Sequence, residues 1–347
     1  MTKKTALDNS NHNSSSKTTS EVLDYALRPR SLKEFFFGGT VKRGVFSALR
    51  IFLQAAQERG DPLDHVLFYG PPGLGKTTLA HILAHEMKVN VRATSGPAIE
   101  RTGDLASILT NLQTGDILFI DEIHRLNKAV EETMYSAMED FCLDIILGKG
   151  PSAQTIRLDL PKFTIIGATT RISLMSSPLR DRFGVTHRLD FFNQDELSKI
   201  ISRSASLLNI QLDPSSCREI AKRARGTPRI ANRLLKRIRD FSQVNHACRI
   251  TPQIVKKALD ILEVDEEGLD KNDQRYLKTL IHKFKGGPAG LSTLASALAE
   301  DQGTLEEVIE PFLLQKGFIK RTPKGRVATE RAYQHLGIAI EKKTRLL

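Results

Sequence analysis

Long apolar runs are missing from this 347-residue chain, and none approaches the roughly 18 residues a bilayer-crossing helix needs. The N-terminal region also lacks the apolar stretch of a secretory signal. The expected setting is therefore the cytoplasm, with no membrane partner. Cysteine is scarce: Cys142, Cys217 and Cys248 are far apart and form no C-x-x-C pair. That pattern supports neither a disulfide framework nor a zinc site, and it fits a reducing compartment. No repeat recurs at a solenoid period. Residues 1–20 hold Ser, Thr, Asn and Lys with almost nothing to bury, and they read as a disordered tail with no assigned function. Acid is the minority charge, 40 Asp and Glu against 51 Lys and Arg, and the net charge of +11 favours a polyanionic partner such as nucleic acid. The excess is uneven. Lys222 to Arg239 holds eight basic residues and no acid, and Lys316 to Arg331 holds six against Glu330.

The length suffices for two or three domains. Gly70-Pro71-Pro72-Gly73-Leu74-Gly75-Lys76-Thr77 lies between the apolar run Val66-Leu67-Phe68-Tyr69 and a helix-period segment carrying Leu79, Ile82, Leu83 and Met87. A glycine-rich loop between strand and helix frees backbone N–H groups to wrap phosphate oxygens, with the positive end of the helix behind them. Lys76 is placed to reach the β- and γ-phosphates of ATP, and Thr77 to offer its hydroxyl to Mg²⁺. A dinucleotide fingerprint is excluded, because Thr78 stands where its third glycine belongs. Further apolar runs, Ile117-Leu118-Phe119-Ile120 and Phe163-Thr164-Ile165-Ile166, alternate with helical patterns such as Val130, Met134, Met138 and Phe141. This alternation predicts an α/β parallel sheet covered on both faces.

Asp121 and Glu122 follow the second of these runs, at the carboxyl end of the strand where open α/β sheets place ligands. Two acids there can merely cap the next helix. Joined to the phosphate loop they read as a Walker B pair, with Asp121 holding Mg²⁺ and Glu122 polarising the attacking water. Asp121-Glu122-Ile123-His124 also mimics a helicase DExH box, but no second lobe of comparable size follows, so His124 reads as a helix-start residue.

After about Phe192 the strands cease and helical patterns cover Leu197–Leu208, Ser216–Arg225, Ile230–Val244 and Pro252–Leu262. Asp265-Glu266-Glu267-Gly268 reads as a hinge. A helix bearing Leu277, Leu280, Ile281 and Phe284 comes next, then Ser292–Leu298, then a helix opened by the capping box Thr304-Leu305-Glu306-Glu307 and closed by Gly317. Phe318–Arg321 and Arg326–Thr329 flank a Pro323-Lys324-Gly325 turn. Three helices and a hairpin make a winged helix, which binds DNA through its third helix and its wing. The expected division is a tail at 1–20, a large ATPase domain at 21–190, a helical lid at 191–264 and a winged helix at 265–347.

The phosphate loop, Asp121-Glu122-Ile123-His124-Arg125-Leu126, Gly167-Ala168-Thr169-Thr170-Arg171, Ser177-Pro178-Leu179-Arg180-Asp181-Arg182-Phe183-Gly184 and Gly226-Thr227-Pro228-Arg229 stand in the order of an AAA+ ATPase. Over about residues 21–335 the chain resembles the RuvB family in particular, the motors of Holliday-junction branch migration. The resemblance implies that Thr170 is sensor 1, that Arg229 is sensor 2 on the lid, and that Arg182 is the arginine finger acting on a neighbour's nucleotide, with Arg180 the nearby alternative. It implies that Leu27 and Arg28 pack on adenine, that Glu139, Asp140 and Phe141 lie near the nucleotide, and that Phe192 stands where relatives have Tyr. Gly38-Gly39 departs from the family's Gly-Gln. The strands holding Ile145, Ile146, Ile156 and Leu158 match the hairpin that docks RuvA, although core packing explains the same pattern. Arg321 and Arg326 match the wing's DNA-contacting arginines, with Lys324 beside them. The basic run 222–239 reads, apart from Arg229, as a solvated face or an inter-subunit surface.

The function so implied is an ATP-driven homo-hexameric ring that moves duplex DNA at four-way junctions with RuvA, and with RuvC in the resolving complex. The alternative is a clamp-loader or initiator-like switch acting on DNA. A protein-remodelling ATPase is disfavoured, since no aromatic pore loop is evident and a winged helix is.

Overall fold

Val66–Tyr69 (β1), Val91–Ser95 (β2), Ile117–Asp121 (β3), Thr164–Thr169 (β6) and Val185–Arg188 (β7) form one parallel sheet in the order β2-β3-β6-β1-β7. The most apolar runs take the middle of it, and β6 is buried at every position. The computed structural model describes residues 26–35, 39–147, 154–246 and 248–339. The tail expected at 1–20, Gly38 and all but the last residue of the turn expected at 148–154 lie outside them.

Helices Gly39–Arg59 (α1) and Lys76–Met87 (α2) contribute to the core on one face of the sheet, and Thr102–Thr110 (α3) and Lys128–Glu139 (α4) to the core on the other. This two-sided cover is what continuous apolar strands require. His65 sits in the sheet as a satisfied core histidine: Ile165 N–H donates to Nδ1, so Nε2 donates to the Met138 carbonyl at 3.0 Å. Cys142–Leu147 (β4) and Gln154–Asp159 (β5) form a separate antiparallel hairpin. Ser177–Asp181 (α5) precedes β7.

Gln194–Leu207 (α6), Pro214–Arg223 (α7), Pro228–Val244 (α8) and Pro252–Ile261 (α9) form the helical lid, whose apolar faces join the α1–α2 side of the sheet in one core. Proline opens three of them at the first turn, where no N–H is needed. The segment expected to be a hinge is an ordered turn: Asp265 accepts from the N–H groups of Glu267 and Leu269 and from His335.

Lys271–His282 (α10), Leu291–Leu298 (α11), Gln302–Thr304 (α12), a π-helical turn Leu305–Ile309 and Glu310–Gln315 (α13) are followed by the hairpin Ile319–Thr322 (β8) and Gly325–Ala328 (β9) and by Glu330–Leu336 (α14). This is a winged helix with its own core around Tyr276, Leu280, Leu313 and Phe318. The capping box expected at Thr304 is not formed. Asp301 caps instead, accepting from Gly303 N–H, and the chain passes through Thr304 already helical. Among the described residues, no helix is long and apolar enough to cross a membrane.

Candidate functional site

The phosphate loop joins β1 to α2. Gly70 has φ +139°, and a Cβ there would stand 2.2 Å from the Leu189 carbonyl oxygen, so the loop enters through a position open to glycine alone. Lys76 opens α2 and folds back over the loop, its Nζ donating to the carbonyls of Gly70 at 2.8 Å and Pro71 at 2.9 Å. Burial pushes its ammonium down to about 8, against the pull of Asp121 and with the help of Arg229.

A cleft of 840 Å³ opens over the loop, where the lid faces the sheet. Gly73, Gly75, Lys76, Thr77 and Thr78 line it from the loop and Asp121, Glu122 and Thr170 from the strand ends. Leu27 and Arg28 line it from the N-terminal segment, and Phe192 and Arg229 from the lid. Arg229 is brought in by its backbone N–H, which donates to the Gly73 carbonyl at 3.4 Å. The Thr170 hydroxyl is buried and without a hydrogen-bond partner among the described residues, an oxygen left to serve a ligand.

Glu122 has the left-handed backbone φ 47°, ψ 42°. Gly96 permits it: a Cβ there would come within 2.5 Å of the Glu122 carbonyl oxygen. A non-glycine residue held in this region marks a site where position outweighs backbone comfort. Its carboxylate pairs with Arg125 at 3.0 Å, and its N–H donates to Asp121 Oδ1 at 2.9 Å. Thr77 and Asp121 give the cleft two hard oxygen donors, which suits Mg²⁺, an ion that keeps phosphate and water in its remaining positions.

Gly70, whose N–H donates to the Thr169 carbonyl at 3.1 Å, and Arg182, Glu139, Asp140 and Phe141 do not line this cleft. Arg182 stacks over Tyr135 at 4.2 Å, donates to the Pro178 carbonyl at 2.8 Å and pairs with Glu139 at 3.1 Å. Asp140 pairs with Arg157 at 3.1 Å, and Phe141 meets Phe163 edge to face. Arg180 donates to Ser177 Oγ at 3.1 Å. Sequence reasoning placed Glu139–Phe141 near the nucleotide; within one chain the structure groups Glu139 with Arg182.

Other residues of the cleft were missed. Arg203 on α6 donates to the Leu27 carbonyl at 3.1 Å and pairs with Glu34 at 2.7 Å, strapping the N-terminal segment to the lid. Arg233, Lys236 and Arg237 join Arg229 on the cleft side of α8, so the basic run is not simply a solvated or inter-subunit face. The helical spacing from Arg229 carried that signal. His124 is not a free helix start: its Nδ1 bonds Thr169 Oγ1 at 2.9 Å.

In the winged helix, Arg321 and Arg326 are directly opposed across β8 and β9. Both turn onto the fully buried Glu310, Arg321 Nη2 at 2.7 Å and Arg326 Nε at 2.8 Å, with Tyr276 OH donating to the same carboxylate at 3.0 Å. The Arg326 side chain is only 15% exposed against 44% for Arg321, so the pair does not simply project into solvent. On the β4–β5 hairpin Ile145 is opposite Ile156. Ile156 and Leu158 are exposed, which removes core packing as their explanation. The side chains of Ile145 and Ile146 lie outside the described ones.

Comparison with known proteins matches three consecutive families: "Holliday junction DNA helicase RuvB P-loop domain" at residues 27–189, "RuvB AAA lid domain" at 192–265 and "RuvB C-terminal winged helix domain" at 266–337. Proteins from two strains of Chloroflexus aurantiacus, each named Holliday junction branch migration complex subunit RuvB, are 57% identical over 332 residues, 96% of this chain and 94% of theirs. The Thermotoga maritima RuvB Holliday junction branch migration motor superposes with a TM-score of 0.83 at 52% identity, over 91% of this chain and 100% of that one.

Proposed function

Because the chain belongs to the RuvB family of AAA+ ATPases, we propose that it is an ATP-driven motor that moves duplex DNA through four-way junctions in recombination and repair. The observation that carries the reading is one cleft in which phosphate loop, Walker B acids, an unpartnered Thr170 hydroxyl and lid Arg229 converge, in a chain that ends in a winged helix.

In this reading the ATPase unit ends near residue 190 and the lid near 264. Leu27, Arg28 and Phe192 pack on adenine. The loop N–H groups from Gly73 to Thr78 cradle the phosphates, and Lys76 exchanges its two loop carbonyls for phosphate oxygens. Thr77 and Asp121 hold Mg²⁺, which screens the triphosphate charge when bound. Glu122 leaves Arg125 to take the proton of the attacking water, Thr170 orients that water, and Arg229 couples the γ-phosphate to the lid angle. Arg182, held ready by Tyr135 and Glu139, serves the cleft of the next subunit in a homo-hexameric ring. Arg321 and Arg326 track the phosphate backbone, which lets a motor pass any sequence. Ile145, Ile146, Ile156 and Leu158 dock RuvA, with RuvC joining the resolving complex, in the cytoplasm.

The test is migration of a synthetic four-way junction with ATP and RuvA. The expected result is directional strand exchange that Glu122→Gln abolishes while nucleotide binding survives. Junction binding with ATP turnover but no movement would favour a clamp-loader-like switch.

A further inference from the structure

We propose that Arg171, with the acid pair Glu306 and Glu307, is the link through which DNA on the wing sets the rate of ATP turnover within one chain. Arg171 thereby acts as a positioning residue for Thr170. The proposal rests on the DNA-motor reading.

Arg171 follows Thr170 directly. Its guanidinium leaves the ATPase domain and reaches the winged helix, where Nη2 lies 3.6 Å from Glu306 and in closer contact with Glu307. The Arg171 backbone N–H donates to Thr169 Oγ1 at 3.0 Å, and that oxygen bonds His124, two residues beyond Glu122. One guanidinium is thus tied to the strand ends that carry both Thr170 and the Walker B acids. On the other side, Glu306 and Glu307 lie in the π-helical turn Leu305–Ile309, a geometry that recurs at functional sites. Glu306 also meets Arg321 at 3.7 Å, and Arg321 and Arg326 share Glu310 one turn later. Arg171 and a wing arginine therefore compete for one carboxylate.

A DNA phosphate that takes Arg321 withdraws positive charge from Glu306. Glu306 then closes on Arg171, and the pull falls on the residue adjoining the unpartnered Thr170 hydroxyl. The groups are partly exposed and individually weak, so this is a graded control of turnover and not an on/off gate.

The experiment measures steady-state ATP turnover of the full chain with and without duplex DNA, beside DNA affinity by fluorescence anisotropy. In the Glu306→Gln/Glu307→Gln variant, DNA-free turnover and DNA affinity should stay within about twofold of wild type, while DNA stimulation falls by at least about fivefold. Arg171→Met, a cut on the opposite domain, should lose stimulation to the same degree. The exchange Arg171→Glu/Glu307→Arg should regain more stimulation than Arg171→Glu alone, a rescue that a purely structural role does not give. Undiminished stimulation in the Gln variant or in Arg171→Met overturns the link. Wild-type chain that turns over ATP without any response to DNA overturns the motor reading and the link with it.

Discussion

In the proposed role Lys76 meets two opposing demands: it is buried before nucleotide arrives, yet it must carry charge when phosphate is there. Burial pushes its ammonium down to about 8, and a bound triphosphate restores the preference for the charged form. Below pH 8 the ammonium is already protonated and affinity is flat. Above it the lysine must take up a proton on binding, so ATP affinity should fall by up to about tenfold per pH unit. Titration calorimetry at pH 9 in two buffers of different ionisation enthalpy should show net proton uptake; equal heats would refute the depressed lysine. The sign is opposite in folding. The unfolded chain holds this proton up to the ordinary lysine value of 10.5, so between about 8 and 10.5 the lysine's contribution to stability rises with pH. The place of Lys76 in the cleft was legible in the sequence because its loop is one continuous stretch of chain. Arg203 was not: its partners Leu27 and Glu34 lie 176 and 169 residues away, and no local spacing announces such a pair.

The same contrast holds for elements. Strand runs and helix periods announced the sheet, the lid and the winged helix, because each element has a face to bury. The helix before Glu310 opens earlier than its sequence suggests, since Asp301 takes the cap in place of Thr304 and leaves Glu307 to Arg171. For Ile145, Ile146, Ile156 and Leu158 the sequence left core and docking surface equally open, and exposure decides against core for Ile156 and Leu158. An Ile156→Ser/Leu158→Ser variant should therefore keep its fold, with stability changed by less than about 1 kcal/mol, as surface substitutions usually do. It should retain basal ATP turnover and lose RuvA binding at least about tenfold, a loss of about 1.4 kcal/mol. Surface plasmon resonance against immobilised RuvA gives the measurement, and unchanged affinity would remove the hairpin from the docking surface.

At the scale of the whole molecule, the cleft and Arg182 present an incomplete pair. The cleft holds the proposed nucleotide groups that the motifs supply except Gly70, the finger and its neighbours Glu139–Phe141. Arg182 rests instead on Tyr135, Pro178 and Glu139, with a buried Nε that has no hydrogen-bond partner among the described residues. A heterologous contact that closes into a ring would present each Arg182 to the next cleft. Two inactive variants should then rescue one another. Lys76→Ala spoils a chain's own cleft and keeps its Arg182, whereas Arg182→Ala keeps the cleft and spoils its neighbour's. In an equal mixture, about a quarter of the interfaces combine an intact cleft with an intact finger, so turnover should rise to about a quarter of wild type if sites fire independently. A parallel mixture of wild type with the Lys76→Ala/Arg182→Ala chain measures how far dead subunits poison their ring, and the rescue is read against it. If that control mixture retains activity while the two single variants together show no more than either alone, Arg182 does not act across a subunit boundary.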